Sequence, residues 1–381
     1  MLRIVQIGPY PLSHDCIRGG VEASVFGLAQ EQAKTSEVHV FDYPRIGGSN
    51  EVLYDGRVLV HRCNNTGEHL VSSSRQVRAM ADRICALNPD ACHIHGTGLF
   101  SWLMYRHLKR KGEKVVVTIH GLALVEKRNL LKKVFTFKRL LQYCYQGMVE
   151  KIFLSQLHSA IVDTEYVREM VHRYAIRKKP VMHVVPQGIK EDYFQINCSE
   201  SSKTLLAVGS IGERKGHLLT LKAFEHVRTF WGDCKLIIVG SIANANYHRA
   251  LLRAVDASRF RDDVIVRVDV KDDELKHLYE TSHVFILHTE EESQGIVFAE
   301  AMATGMPVVA TDVGGVPYVV GDGVSGLLSK YGDVEGFANH IIELLCNKDL
   351  WMSVSQSARM MAKAYHWQAI TERIYEIYKG E

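Results

Sequence analysis

Short β-branched and aliphatic runs recur along the first half of the chain, at 2–7, 38–41, 91–94, 114–119, 160–162 and 182–185. Helix-length stretches separate most of them, the first a helical pattern from about 21 to 34. That alternation predicts a parallel sheet with helices on both faces. The rhythm restarts after Gln187-Gly188, with strands expected at 204–208, 235–239, 264–266, 284–287 and 307–310. Two α/β domains follow, with a hinge expected between about 186 and 196. A last helix, roughly 368–378, carries Ile370, Ile374 and Ile377 at helical spacing and needs a surface on which to bury them.

Length agrees with this division, because 381 residues exceed one ordinary core. A composition of 46% hydrophobic and 23% charged residues is that of globular proteins. With no long apolar run and no leader pattern, the chain is expected to be soluble and cytoplasmic. Its eight cysteines are scattered without a CxxC pair, which argues against a disulfide framework or a zinc site. The net charge of +3 hides an asymmetry. Residues 1–190 hold 27 Lys and Arg against 16 Asp and Glu, a surplus of 11, whereas the remainder holds 19 against 27, a deficit of 8. A basic half suits nucleic acid, an anionic membrane surface or a phosphate-bearing acceptor, and composition does not choose among them.

In open parallel sheets, ligands bind beyond the carboxyl ends of the strands, where loops lead into helix N-termini. The most specific constellation lies in such a loop. After the strand ending at Leu287 come Glu290-Glu291-Glu292-Ser293-Gln294-Gly295, then a helix opening at Ile296-Val297 and carrying Glu300, then the turn Gly305-Met306-Pro307. Gly295 lets backbone amides approach a ligand, the helix start suits a phosphate, and Glu292 and Glu300 can accept from hydroxyls at two ends of one ligand. An acidic loop alone would be a solvated turn; the eight-residue spacing and the flanking glycines favour a site.

A second element, Gly209-Ser210-Ile211-Gly212-Glu213-Arg214-Lys215-Gly216-His217, places two adjacent cations at a helix start, where they can neutralise a diphosphate. It is not a GxxxxGK[ST] loop. A third, Gly8-Pro9 followed by Gly19-Gly20, opens the first helix without a GxGxxG pattern, which weakens a dinucleotide reading. A fourth, Thr118-Ile119-His120-Gly121, sets a histidine at a strand end.

Together these segments resemble the retaining glycosyltransferases of family 4. The resemblance runs from Gly19-Gly20 through Lys215-Gly216 and the Glu292/Glu300 pair to Gly314-Gly315-Val316-Pro317. It implies the GT-B fold, with two facing Rossmann-like doubly wound domains and a cleft between them. Residues 1–188 would form the acceptor-side domain, 189–366 the nucleotide-sugar domain, and 367–381 a helix crossing back to the N-terminal domain. By the same resemblance Glu300 binds the nucleotide ribose and Glu292 approaches the donor sugar. Gly20, beside Gly19, gives an amide to the donor phosphate, His120 lies by the sugar, and Lys215 neutralises the diphosphate with the help of Gly295, Ile296 and Val297.

The implied reaction transfers a sugar from a nucleoside diphosphate, UDP by preference, to an acceptor hydroxyl with retention of configuration. It needs no metal and no further cofactor. His120 and Glu292 are the expected catalytic pair. Three positions depart from the family pattern. Ser210 stands where an Arg is usual, so Arg214 is expected to supply that cation; Ser293-Gln294 precedes Gly295 where Gly-Phe is usual; and Asp269 replaces a common Gly. A non-catalytic partner subunit and a nucleotide-sugar epimerase or hydrolase of the same fold are the alternatives.

For partners, the reading expects a nucleotide-sugar donor and a glycan or lipid-linked acceptor of the cell envelope, and no nucleic acid. Residues 127–151 carry Lys127, Arg128, Lys132, Lys133, Lys138, Arg139 and Lys151 among leucines and phenylalanines. That pattern predicts peripheral docking on an anionic membrane, the plain alternative being a helix that packs its leucines on the sheet.

Overall fold

The computed structural model describes residues 1–13, 17, 19–43, 45–46, 51–65, 70–125, 137–176 and 179–380. The chain forms two compact units, one of residues 1–188 with 367–381 and the other of residues 189–366.

The first unit contains β1 (Arg3–Ile7), β2 (Glu37–Phe41), β3 (Arg45–Ile46), β4 (Glu51–Asp55), β5 (Val58–Arg62), β6 (Asn64–Asn65), β7 (Ala91–His95), β8 (Val115–Ile119), β9 (Ser159–Val162) and β10 (Val181–Val184). Eight of these form one sheet in the order β10-β9-β8-β7-β1-β2-β5-β4, while β3 and β6 pair separately. All pairings in the main sheet are parallel except β4 with β5, a hairpin that the hydrophobic pattern did not predict. Asp55-Gly56, with Gly56 at φ +61°, is a strong hairpin signal between two apolar runs, and it is where that prediction failed.

Side chains of a strand alternate between faces. Val5, Ile7, Ile94, Val117 and Ile119 therefore build a core on one side of this sheet. Ile4, Val116 and Ile161 face the other way, and there, with Val185 and with Leu28 of the helix Gly20–Gln32, they meet Ile370, Ile374 and Tyr378 of the helix Trp367–Gly380. The final helix thus has its surface on the first unit. Its entry is fixed by Trp367: a Cβ at Gly188 would lie 2.5 Å from the indole, and one at Gly27 would overlap it. Two glycines, far apart in sequence, leave the room for one ring.

The second unit has β11 (Thr204–Val208), β12 (Lys235–Gly240), β13 (Val264–Val268), β14 (Val284–Leu287), β15 (Val308–Thr311) and β16 (Gly326–Ser329). Every pairing is parallel, in the order β13-β12-β11-β14-β15-β16. Numbered within the unit, that is 3-2-1-4-5-6, the order of dinucleotide-binding sheets. The strand order reverses between β11 and β14, so the loops leaving those two strands part and open a crevice at their carboxyl ends. Five of the six strands fall where the sequence places them. The sixth, Gly-Leu-Leu-Ser, has only two apolar residues and no β-branched one, so it does not stand out as a strand.

Candidate functional site

The reversal between β11 and β14 decides which residues meet in the second unit. The chain leaving β11 makes a 3-10 turn at Glu213–Lys215 and enters the helix His217–Phe230. The chain leaving β14 carries Thr289 to Gly295 into the helix Ile296–Ala303. Lys215 and Glu292 face each other across this point and are 8% and 4% exposed. The Lys215 ammonium donates to Glu292 Oε1 in a short charge-assisted contact. Arg214 Nη1 donates to Glu292 Oε2 at 3.2 Å and to the Glu291 carbonyl at 3.0 Å. Thr289 Oγ1 lies 3.3 Å from Glu292 Oε1 and 3.0 Å from the Arg214 carbonyl. Burial alone would push the Glu292 carboxyl up, but the two cations and the hydrogen bonds from Lys215 and Thr289 outweigh it and hold the group below the ordinary carboxylate range.

Backbone close to Glu292 comes from the turn after β15. Gly315 N donates to the Glu292 carbonyl at 2.7 Å. A Cβ at Gly314 or Gly315 would overlap the Glu292 and Ser293 carbonyls. The Gly314-Gly315-Val316-Pro317 segment is thus the backing that holds the acidic loop. Gly295, at φ +80°, is required locally, since its missing Cβ would lie 2.6 Å from the Phe298 ring. The first amides of the helix, at Ile296 and Val297, belong to a turn that lacks intrahelical acceptors.

Glu300 sits on the next turn of this helix, half-buried, and its Oε2 accepts from the Tyr279 hydroxyl at 3.1 Å. Tyr279 in turn packs edge-on against Tyr193, with ring centroids 5.2 Å apart. Loss of hydration raises the Glu300 carboxyl to about 7, against the opposing pull of the Tyr279 hydrogen bond and the Lys190 charge. The two glutamates therefore differ: one is locked as an anion by cations, the other stands at the edge of ionisation.

In the first unit, Gly19 at φ +96° precedes the helix Gly20–Gln32. A Cβ at Gly20 would lie 3.7 Å from Gln187 Oε1. Gln187 Nε2 donates to Asp163 Oδ2 at 2.6 Å and lies 3.0 Å from His120 Nδ1, itself 3.1 Å from Asp163 Oδ2. His120 and Gly20 are thus gathered around Gln187 at the carboxyl ends of the strands. The loop after His120 is held by buried Glu150, which accepts from Thr97 Oγ1 at 2.5 Å and from the amides of Ala123 and Leu124 at 3.2 and 3.0 Å. Sequence reasoning named His120 and the glycines but missed Asp163, Gln187 and Glu150. Asp163-Thr164 after a strand, with Thr164 capping the helix Glu165–Tyr174, was the available signal.

The model of glycosyltransferase family 4 matches residues 18–193, and that of the glycosyl transferases group 1 matches residues 189–367. The chain belongs to the family 4 glycosyltransferases and has the GT-B fold. N-acetyl-alpha-D-glucosaminyl L-malate synthase of Bacillus anthracis is 26% identical over 298 residues, covering 77% of this chain and 72% of that protein. Phosphatidyl-myo-inositol mannosyltransferase of Mycobacterium leprae is 26% identical over 394 residues, covering 99% and 96%. Among solved structures, Anabaena Alr3699/HepE in complex with UDP and glucose superposes with a TM-score of 0.76 over all of both chains at 15% identity.

Proposed function

We propose that this glycosyltransferase moves a sugar from a nucleoside diphosphate, UDP by preference, to the hydroxyl of a lipid-linked or envelope-glycan acceptor, with retention at the anomeric carbon and without a metal. The observation that carries the donor reading is the meeting of Lys215, Arg214 and Glu292 beside the helix start that presents Glu300. Transfer breaks the bond between the anomeric carbon and the phosphate oxygen and leaves a charged diphosphate. The largest catalytic need is to stabilise that charge.

Lys215, Arg214 and the amides at Gly295, Ile296 and Val297 suit that need, and Glu300 suits ribose hydroxyls. An arriving diphosphate competes with the Glu292 carboxylate for Lys215. Glu292, released in part, then serves the sugar hydroxyls. As the acceptor oxygen bonds to the same face of the sugar, its proton passes to the leaving phosphate oxygen. The roles given by resemblance to Gly19, Gly20 and His120 are proposed on the first unit's own geometry. The solved HepE complex with UDP and glucose supports a UDP-sugar donor, and the mycobacterial mannosyltransferase supports a lipid acceptor.

The acceptor proposal includes docking on an anionic membrane. Residues 126–136, with Lys127, Arg128, Lys132 and Lys133, lie outside the described residues. In the helix Phe137–Leu154, Leu141, Tyr145 and Met148 are exposed at helical spacing, so they form an apolar stripe pointing to solvent. Leu141 is thus not a core residue, and the basic surplus of this half complements an anionic surface. No helix among the described residues is long and apolar enough to cross a membrane.

A screen of nucleotide sugars with lipid acceptors, read as nucleotide release and as the anomeric configuration of the product, tests the reading. Retained configuration and activity unchanged by EDTA are expected; inversion, or loss restored by Mg²⁺, would overturn it. Sedimentation should require anionic liposomes and weaken with salt and in Met148→Glu.

A further inference from the structure

Alternation along the strands places a file of polar side chains on one face of the first unit's sheet. Gln6 on β1, His93 and His95 on β7, Thr118 on β8 and His120 just beyond it are all 9% exposed or less. The helix Trp367–Gly380 lowers Tyr378 onto this file, and the helix Gly20–Gln32 adds Gln32. The contacts form one unbroken run. His120 Nε2 lies 3.0 Å from His95 Nδ1, and His95 Nε2 lies 2.7 Å from Gln6 Oε1. Gln6 Nε2 donates to Gln32 Oε1 at 2.7 Å and to the Tyr378 hydroxyl at 3.2 Å, and Gln32 Nε2 also donates to that hydroxyl at 3.2 Å. The hydroxyl lies 2.7 Å from His93 Nδ1, and His93 Nε2 lies 2.6 Å from Thr118 Oγ1.

Counting hydrogens along this run leaves little freedom. The Tyr378 oxygen accepts from two amides, so its own hydrogen goes to His93 Nδ1. Gln6, with its amide nitrogen on Tyr378, turns its oxygen to His95, whose Nε2 must then carry a hydrogen. A neutral His95 has a bare Nδ1, which accepts from His120 Nε2–H. His120 Nδ1 is then bare and accepts from Gln187. Turning the two glutamine amides about reverses the bonds at the imidazoles, so that His120 donates from Nδ1 to Asp163, but it sets both amide oxygens against Tyr378, whose single hydrogen reaches only one of them. Of the two polarities, only the first lets the Tyr378 hydroxyl complete all three of its contacts, and the reverse leaves one of them without a hydrogen. Burial keeps the middle of the run uncharged, since desolvation, reinforced by neighbouring imidazoles, lowers His93 to about 3 and His95 well below its ordinary value.

We propose that Tyr378 is a positioning residue: through Gln6 and His95 its hydroxyl fixes which ring nitrogen of His120 carries the proton. The consequence for catalysis rests on the reading of His120 as the group beside the donor sugar. The tautomer itself does not depend on that reading. Tyr375, on the same helix, supplies a matched control, because its hydroxyl meets Thr35 and Ser36, at 3.3 and 2.9 Å, and the Gln32 carbonyl, and takes no part in the run.

The test uses the full chain with ¹⁵N-labelled histidine, the His120 signals being assigned by their loss in His120→Gln. In the unsubstituted protein the two nitrogens of His120 should be distinct, one protonated and one bare. Tyr378→Phe should draw them toward a common average and lower kcat about tenfold with the donor KM within about twofold, the loss of one buried hydrogen-bonding group. Tyr375→Phe should leave both readouts unchanged. Unaltered His120 signals in Tyr378→Phe overturn the proposal, whatever the activity does. Altered signals with full activity uphold the tautomer assignment and remove His120 from the catalytic reading. Should Tyr378→Phe not fold, Gln6→Met interrupts the same run while leaving the residues of the last helix unchanged, and unaltered signals there overturn the proposal equally.

Discussion

The two units solve the problem of buried polarity in opposite ways. In the second, a carboxylate is taken out of water together with the Lys215 ammonium, with the half-exposed Arg214 beside them, at a loop junction where the strand order reverses. In the first, neutral imidazoles and amides follow one another along a sheet face with no cation among them. A charge cluster is costly to bury and is strong only while complete. An imidazole run costs less, but it works only if every hydrogen is correctly placed. The comparison teaches where each unit is fragile: the second to loss of a charge, the first to loss of a single hydroxyl.

The largest expected effect comes from breaking the charge cluster. Lys215→Met should lower transfer by about 10²- to 10³-fold, as expected for removing one group that stabilises leaving-group charge. It should also cost about 3 kcal/mol of stability by leaving Glu292 partly uncompensated. Adding Glu292→Gln should recover the melting temperature but not the activity. Near wild-type transfer by Lys215→Met would sink the phosphate reading.

Next is Glu300→Ala, expected to weaken donor binding about ten- to a hundredfold through lost charge-assisted hydrogen bonds worth about 1.5–3 kcal/mol. Isothermal titration with the nucleotide measures it, and unchanged affinity would leave Glu300 as a partner of Tyr279 alone.

A smaller effect sharpens the contrast through pH. Glu300, raised to about 7, is a carboxyl that titrates in the working range, whereas His93 and His95 stay neutral there. If the ribose needs the carboxylate, the donor KM should rise about tenfold per unit below pH 7, and Glu300→Gln should abolish that slope. Stability runs the other way. A carboxyl raised on folding contributes stability that is full below its unfolded value, near 4.5, and is lost as pH rises through about 7. A donor KM flat from pH 5 to 8 would refute this assignment. The smallest effect is expected for Arg214→Ala, since its side chain is 41% exposed and its charge is screened. A change of a few-fold, on the scale of about 1 kcal/mol or less, should appear in donor KM at low salt and fade at high salt.

The same contrast explains what was legible in the sequence. Glu292, Lys215 and Glu300 sit on loops and at a helix start, in contiguous motifs that announce their chemistry. The central strands of the second unit, β11, β14 and β15, are short apolar runs buried along nearly their whole length, as parallel strands covered on both faces are. His93 and His95 lie instead inside a strand whose alternation reads as ordinary core, and their partners come from elsewhere: 89 residues separate Gln6 from His95, and 285 separate His93 from Tyr378. No local pattern carries such pairings. Tyr378 itself reads as one more apolar residue of an amphipathic helix. The hairpin of β4 and β5 was missed for another reason: Val52, Leu53 and Tyr54 are exposed on an edge strand, so burial does not shape their pattern.

The indole of Trp367, seated on Gly27 and Gly188, has a consequence for how the polypeptide is born. One face of the first sheet, with Ile4, Val116 and Ile161, and Leu28 of the helix beside it, is complete only when Ile370 and Ile374 arrive, after all of residues 189–366 have been synthesised. On the ribosome the amino-terminal segment must wait with an open greasy flank, the condition under which nascent chains recruit chaperones or aggregate. A chain stopped before Trp367 should therefore yield insoluble protein, and a separately expressed segment spanning that helix should rescue it.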